Sequence, residues 1–203
     1  MYLIGLTGGI AAGKSAVAEH WVTLGAIEID ADLLAREAVL PGTTALRGIT
    51  ETFGQQVLAA DGTLDRKKLA EIVFADAQKR AQLEAIVHPA VRSLASIKIA
   101  ELPDDSMVIY TVPLLVEASV DLPFDKVVTV EAPEDVRVSR MVQRRGMKPD
   151  EALARIRSQA SAAARANRAD VILNSNQPLA LLLKDATQLW RQMTVEAANK
   201  AGE

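Results

Sequence analysis

Eight consecutive residues near the start of the chain, Gly8-Gly9-Ile10-Ala11-Ala12-Gly13-Lys14-Ser15, follow the phosphate-loop pattern G-x-x-x-x-G-K-[ST]. Each residue type has a task in that pattern. Gly8 and Gly13 let the backbone curl until successive N–H groups point inward at phosphate oxygens. Lys14 supplies a point charge to the β- and γ-phosphates, and Ser15 offers a hydroxyl to Mg²⁺. A helix starting here adds its N-terminal N–H groups and its dipole to the same anion. The competing reading is a glycine-rich turn from strand to helix with a surface lysine. The full match, with a strand predicted before it and a helix after it, favours phosphate.

A phosphate loop implies that a nucleoside triphosphate binds, not what is done with it. A small-molecule kinase, a GTPase-type switch and a motor or nucleic-acid NTPase all remain open at this point. The chain lacks the Asp-x-x-Gly segment of a GTPase. Asn167-Arg168-Ala169-Asp170 resembles a guanine-reading motif, but it precedes a predicted strand instead of following one. At 203 residues the chain is short for a helicase or motor core.

Carboxylates and arginines suit a kinase. Asp30 and Asp32 fall at the C-terminal end of the second predicted strand, the end at which open parallel sheets bind ligands. A carboxylate there can accept the proton of an attacking hydroxyl. Asp32 is the preferred candidate; the competing role for either is capping a helix expected to begin near Leu33. The strand that ends at Thr111 and Pro113 brings no carboxylate, and Glu117 follows it. Magnesium would then rely on Ser15, phosphates and waters, with Asp30, Asp32 or Glu117 behind them. Residues 137–168 carry nine basic side chains against two acidic ones. That window is +7 in a chain of −3, so the remainder carries −10. Arg137, Arg140 and Arg144 share one helical face by spacing, and arginine forks grip phosphate oxygens. A mobile arginine-bearing lid would neutralise the transferring group and exclude water. The alternatives are a solvated basic face or a nucleic-acid patch. His88-Pro89 is expected to end a helical stretch containing Leu83, Ile86 and Val87, with His88 read as structural. Trp21 and Trp190 lie on apolar helix faces and are assigned to the core.

The elements that must position these groups are legible in the pattern. Residues 1–7 read as a buried strand, 13–23 as a helix ended by Gly25, and 26–30 as a second strand. This is a βαβ unit, so its strands are expected to be parallel. Residues 33–101 read as helical, broken at Pro41-Gly42, Gly54 and Asp61-Gly62, with Asp65 as an N-cap. Strands are expected at 106–112, 126–130 and 171–173, and helices from Pro133 or Glu134, from Pro149 and from Pro178. The alanine-rich residues 160–166 favour helix. The fold class is α/β: a parallel sheet of P-loop NTPase type flanked by helices. Residues 1–32, 103–136 and 168–203 are expected to form a nucleotide-binding core, 33–102 a helical substrate-binding insert, and 137–167 an arginine-rich lid.

Composition removes other classes. There is no cysteine, so thiolate zinc sites, cysteine nucleophiles and disulfides are excluded. Two histidines and 3% aromatics argue against a histidine metal site and against base-stacking surfaces. The net charge of −3 argues against a basic nucleic-acid binder. The first positive charge is Lys14, no apolar run is long enough to span a membrane, and the closing Ala-Gly-Glu carries no lipid or retention signal. The expectation is a cytoplasmic protein, a monomer or small homo-oligomer, whose partner is a small molecule, with no nucleic acid and no membrane.

Beyond these features, the sequence resembles the dephospho-CoA kinase family over nearly its whole length. The resemblance is carried by Gly5-Leu6-Thr7-Gly8-Gly9-Ile10, Ile29-Asp30-Ala31-Asp32, Ala35-Arg36, Phe53-Gly54, residues 61–66 (Asp-Gly-Thr-Leu-Asp-Arg), Val73-Phe74, His88-Pro89, residues 112–117 (Val-Pro-Leu-Leu-Val-Glu), Arg140, Arg144, Gln159 and Ala169-Asp170. It implies phosphorylation by ATP, with Mg²⁺, of the 3′-hydroxyl of the ribose of dephospho-CoA, the last step of coenzyme A synthesis. It implies nucleotide contacts from the phosphate loop through Ala16 and from Arg144. Lys14 and Arg140 would hold phosphates, and Asp32 would meet the 3′-hydroxyl as a base. His88, Pro89, Leu114 and Glu117 would line the substrate side. Members of that family often carry glycine where this chain has Ala11. Alanine fits there if its φ is negative and is strained if φ must be positive. Some relatives also carry an aspartate near the position of Thr111.

Overall fold

The computed structural model describes residues 1–74, 76–113, 115, 120 and 122–202. Its elements run β1 (Tyr2–Gly8), α1 (Lys14–Thr23), β2 (Ile27–Asp30), α2 (Ala31–Glu37), α3 (Thr44–Phe53), a 3₁₀ turn (Gln55–Val57), α4 (Arg66–Phe74), α5 (Ala77–Ala100), β3 (Met107–Thr111), β4 (Lys126–Glu131), α6 (Glu134–Arg145), α7 (Pro149–Arg157), α8 (Ala162–Arg168), β5 (Val171–Asn174) and α9 (Leu179–Lys200). They fall into two compact units, Met1–Asp30 with Leu102–Glu203, and Ala31–Glu101.

The first unit is built on one sheet of order β2-β3-β1-β4-β5, parallel throughout. Parallel neighbours cannot be joined by hairpins, so every strand is reached by a crossover. β1 and β2 are parallel as expected, but β3 lies between them. The apolar runs of β1, β3 and β4 are buried, as strands covered on both faces must be. Against them pack Val17, Ala18 and Trp21 of α1 and Leu182, Ala186, Leu189, Trp190 and Met193 of α9. Trp21 is fully buried; its indole Nε1–H donates to the Ala186 carbonyl at 2.9 Å, and its ring lies 6.1 Å from that of Trp190. The expectation that both tryptophans are core therefore holds, and the α1–α9 pair anchors the helix that follows the phosphate loop.

The second unit is helical among the described residues, with an isolated antiparallel bridge between Leu58 and Leu64. Its core joins Ala38, Val39, Ala45, Ile49, Phe53, Val57 and Leu69 to one face of α5. Each cap has a mechanism. The Thr43 hydroxyl accepts from Leu46 N–H at 3.2 Å, and the Asp65 carboxylate from Lys68 N–H at 3.0 Å. The Asp76 carboxylate accepts from Gln78 and Lys79 N–H at 2.9 and 3.0 Å. Two expectations need correction. α2 begins at Ala31 and not near Leu33, so Asp32 sits inside its first turn instead of before it. And His88-Pro89 does not end a helix, because α5 continues through Pro89 to Ala100. Proline removes one backbone donor and crowds the preceding turn. The helix persists because Ile86 and Val87 before it, and Ala90, Val91 and Leu94 after it, pack on the same core.

Among the described residues, no helix is long and apolar enough to cross a membrane.

Candidate active site

β1 delivers the chain to the phosphate loop at the C-terminal edge of the sheet, and α1 takes it away. Gly8 closes β1 beside β4, where a methyl group on it would stand 2.6 Å from the Val130 carbonyl oxygen. Gly13 precedes α1 with φ +108°, a conformation that side chains disfavour. Ala11 is the one described non-glycine residue at positive φ, +60°. The condition that a negative φ would let alanine fit is therefore not met. The residue occupies the left-handed region, at a cost of roughly 1–2 kcal/mol.

The carbonyl side of the loop is held from behind. Arg140 of α6 donates from Nη1 to Ala11 O at 3.1 Å and to Ala12 O at 3.3 Å. The same Nη1 reaches Ser175 Oγ at 3.1 Å, and Nη2 donates to Ser175 O at 2.6 Å. The buried Ser175 hydroxyl in turn donates to Ala12 O. Burial first, then the neighbouring Arg144 charge, hold the Arg140 pKa below its usual value. A trans peptide points its N–H opposite its C=O. With Ala12 O turned toward Arg140 and Ser175, Gly13 N–H must point to the other side. Ile10 N–H donates to Gln159 Oε1 at 2.8 Å and Ala12 N–H to Gly9 O at 2.9 Å. The N–H groups of Gly13, Lys14 and Ser15 meet no acceptor among the described residues. Three consecutive donors at a helix N-terminus, beside the half-buried Lys14, suit a multiply charged anion.

α6 and α7 close over this loop as an apolar pair: Met141, Ala152 and Ile156 are buried, with Ile10, Ala11, Val138 and Met147 packed against them. The three arginines expected on one face of α6 differ in environment. Arg137 is buried, Arg140 half-buried and Arg144 exposed. Glu131, at the end of β4, accepts from Arg165 Nε and Nη2 at 2.6 and 2.7 Å.

The remaining candidates are placed as follows. Ser15 is exposed and Ala16 half-buried in the first turn of α1. Asp30 is the last residue of β2, paired in register with Thr111, whose hydroxyl donates to Glu28 Oε1 at 2.8 Å. Asp32 is exposed in the first turn of α2, within the second unit. His88 and Pro89 lie midway along α5. Leu114 and Glu117 lie outside the described residues. Sequence reasoning did not single out Ser175 or Glu131. Each falls at the C-terminal end of a correctly expected strand, at the edge where ligands bind. Reading the residues that close β4 and β5 would have found both.

A family model of dephospho-CoA kinases matches residues 2–180. A dephospho-CoA kinase of Streptomyces avermitilis is 43% identical over 203 residues, covering 100% of this chain and 98% of its own. One from Mycolicibacterium paratuberculosis is 44% identical over 98% of this chain and is longer, so that the chain spans 49% of its length. Among solved structures, the dephospho-CoA kinase of Campylobacter jejuni superposes with a TM-score of 0.64 at 25% identity, covering 94% of this chain and 96% of its own. With its parallel sheet, phosphate loop and these relatives, the chain belongs to the dephospho-CoA kinase family, the enzymes of the last step of coenzyme A biosynthesis.

Proposed function

We propose that the chain transfers the γ-phosphoryl group of ATP to the 3′-hydroxyl of the ribose of dephospho-CoA. The observation that carries this reading is the row of unengaged N–H donors at Gly13, Lys14 and Ser15, with the Ala12 carbonyl, which shares its peptide with Gly13 N–H, held from behind by Arg140 and Ser175. It is an anion site built before the anion arrives, in a chain of that family.

Lys14 reaches the β- and γ-phosphates, and Gly8 through Ala16 wrap the triphosphate. The described residues hold no group of three or more histidine, cysteine or acidic side chains able to bind a metal. An exposed Ser15 hydroxyl is a donor set that fits Mg²⁺ entering with the phosphates and keeping several waters. Bound there, Mg²⁺ supplies charge neutralisation between phosphate oxygens. Asp32 accepts the proton of the attacking hydroxyl. Arg140 fixes the loop, and Arg144 adds charge at its rim. Residues 31–101, with His88 and Pro89, together with Leu114 and Glu117, hold the acceptor. Residues 137–167 act as the lid that excludes water. The working site is cytoplasmic, in a monomer or small homo-oligomer.

Phosphoryl transfer through a loose transition state depends mainly on positioning and charge neutralisation. A general base contributes about 10²–10⁴-fold, and the lower end is expected here. ADP release coupled to an optical readout, with dephospho-CoA, AMP and shikimate offered as competing acceptors, tests the assignment. Acceptor-dependent turnover with dephospho-CoA alone supports it; preference for another acceptor refutes it. Asp32→Asn lowers kcat strongly with ATP binding little changed, whereas Lys14→Ala damages both. Unchanged turnover in Asp32→Asn removes the base role.

A further inference from the structure

Arg137, in the first turn of α6, is 4% exposed, and its Nε is buried without a hydrogen-bond partner. No described carboxylate comes within ion-pair distance of it. Arg165 lies beside it at 2% exposure, but the Arg165 fork is filled. Its Nε and Nη2 take both oxygens of Glu131, and its Nη1 donates to Ala160 O at 2.6 Å. Two guanidinium groups and one carboxylate therefore leave one positive charge uncompensated in a buried place. Burial, then the Arg165 charge, push the Arg137 pKa below its ordinary value, with Glu131 and Glu134 opposing. Arginine still stays protonated at neutral pH.

This charge rests directly on the phosphate loop. A methyl group built on Gly9 would overlap Arg137 Nη1, and would stand 2.8 Å from Arg137 Cζ and 3.0 Å from Arg165 Nη2. Glycine at position 9 thus lets both guanidinium groups lie against the loop backbone. Buried charges in proteins are paired or hydrogen-bonded, because an unpaired one is strongly destabilising. The cluster is one anion short.

We propose that Arg137 is a binding residue for the polyphosphate of the nucleotide, whose charge supplies the missing partner. The inference rests on the reading that residues 8–15 hold the ATP tail. It differs from a packing role in a measurable way. A residue kept for packing stabilises the empty protein; a residue kept for an absent anion does not.

The test compares the full chain with Arg137→Met and Arg137→Lys. Affinities for ATP and adenosine are measured by calorimetry, and stability by urea unfolding without nucleotide. Arg137→Met is expected to be at least as stable as the parent. It should bind ATP about 10- to 100-fold more weakly, the span of one charge-assisted hydrogen bond, with adenosine affinity unchanged. Arg137→Lys should recover part of the loss. ATP affinity within twofold of the parent in Arg137→Met overturns the proposal, as does equal weakening of ATP and adenosine together with lower stability. Should Arg137→Met fail to fold, Arg137→Gln carries the same comparison. If the parent chain itself binds no ATP, the proposed function falls and this inference with it. If the parent binds and turns over ATP while the variants match it, only this inference falls.

Discussion

Replacing Ala11 by glycine probes the loop backbone directly, because the expected result is opposite to that of the same change one residue later. Ala11 sits at φ +60°, so alanine there carries roughly 1–2 kcal/mol of conformational strain that glycine does not. Two losses oppose the gain. Glycine frees the unfolded chain by about 0.4–1 kcal/mol. Removing a half-buried methyl forfeits roughly half of the ~0.8 kcal/mol of a fully buried one. Ala11→Gly should therefore fall within about 1 kcal/mol of neutral, on the stabilising side. Ala12 is fully buried and is not among the positive-φ residues. Ala12→Gly keeps both losses and gains nothing, for a destabilisation of about 1.5 kcal/mol. The two variants are unfolded in urea side by side. Ala11→Gly should be the more stable of the two by about 2 kcal/mol. Equal destabilisation of both would refute the left-handed conformation at position 11.

Ser175→Ala removes a buried hydroxyl that both accepts from Arg140 and donates to Ala12 O, and should cost about 1–3 kcal/mol by urea unfolding, with weaker ATP binding. Pro89→Ala restores a backbone donor in the middle of α5 and should raise stability by up to about 3 kcal/mol, while a fall in turnover with dephospho-CoA would mark a functional reason for the proline. Asp65 accepts from Lys68 N–H, which holds its carboxyl below the usual aspartate range. Its contribution to stability is complete above the unfolded-state aspartate pKa and is lost as pH falls through the lower folded-state value. The stability gap between the parent and Asp65→Ala should therefore be full at neutral pH and close on acidification; a gap independent of pH would refute the charged cap.

What the sequence made legible follows the range of the physics involved. The strand–loop–helix start, the strands around Val108, Val128 and Ile172, and the Asp65 cap are written in local patterns of period, glycine and capping. Pro89 reads locally as a helix end because a proline is a strong breaker, whereas the apolar face that carries α5 past it packs on residues as distant as Ala38 and Ile49. The insertion of β3 between β1 and β2 is a choice of topology that no local pattern encodes. The spacing of Arg137, Arg140 and Arg144 places them on one helix, but Ser175, an acceptor of the Arg140 guanidinium, lies 35 residues beyond it. The strain at Ala11 was posed by the sequence as a condition on φ, and only the backbone could answer it.

Arg140 joins two accounts of the site that look different on the sequence. As an arginine of a basic helix it was expected to hold phosphate; in the folded chain its guanidinium binds the oxygens of Ala11, Ala12 and Ser175. These roles converge through the peptide group. A cation on a carbonyl oxygen draws electron density across the C–N bond and makes the N–H at the other end a stronger donor. For the peptide between Ala12 and Gly13 that donor faces away from Arg140, in line with the N–H groups of Lys14 and Ser15 and with the positive end of α1. The positive charge of Arg140 is thus relayed to the anion side without the side chain leaving its carbonyls. A lysine at position 140 would keep the charge but lose the planar fork that spans Ala11, Ala12 and Ser175 together. On this argument the shape of the group matters as much as its sign.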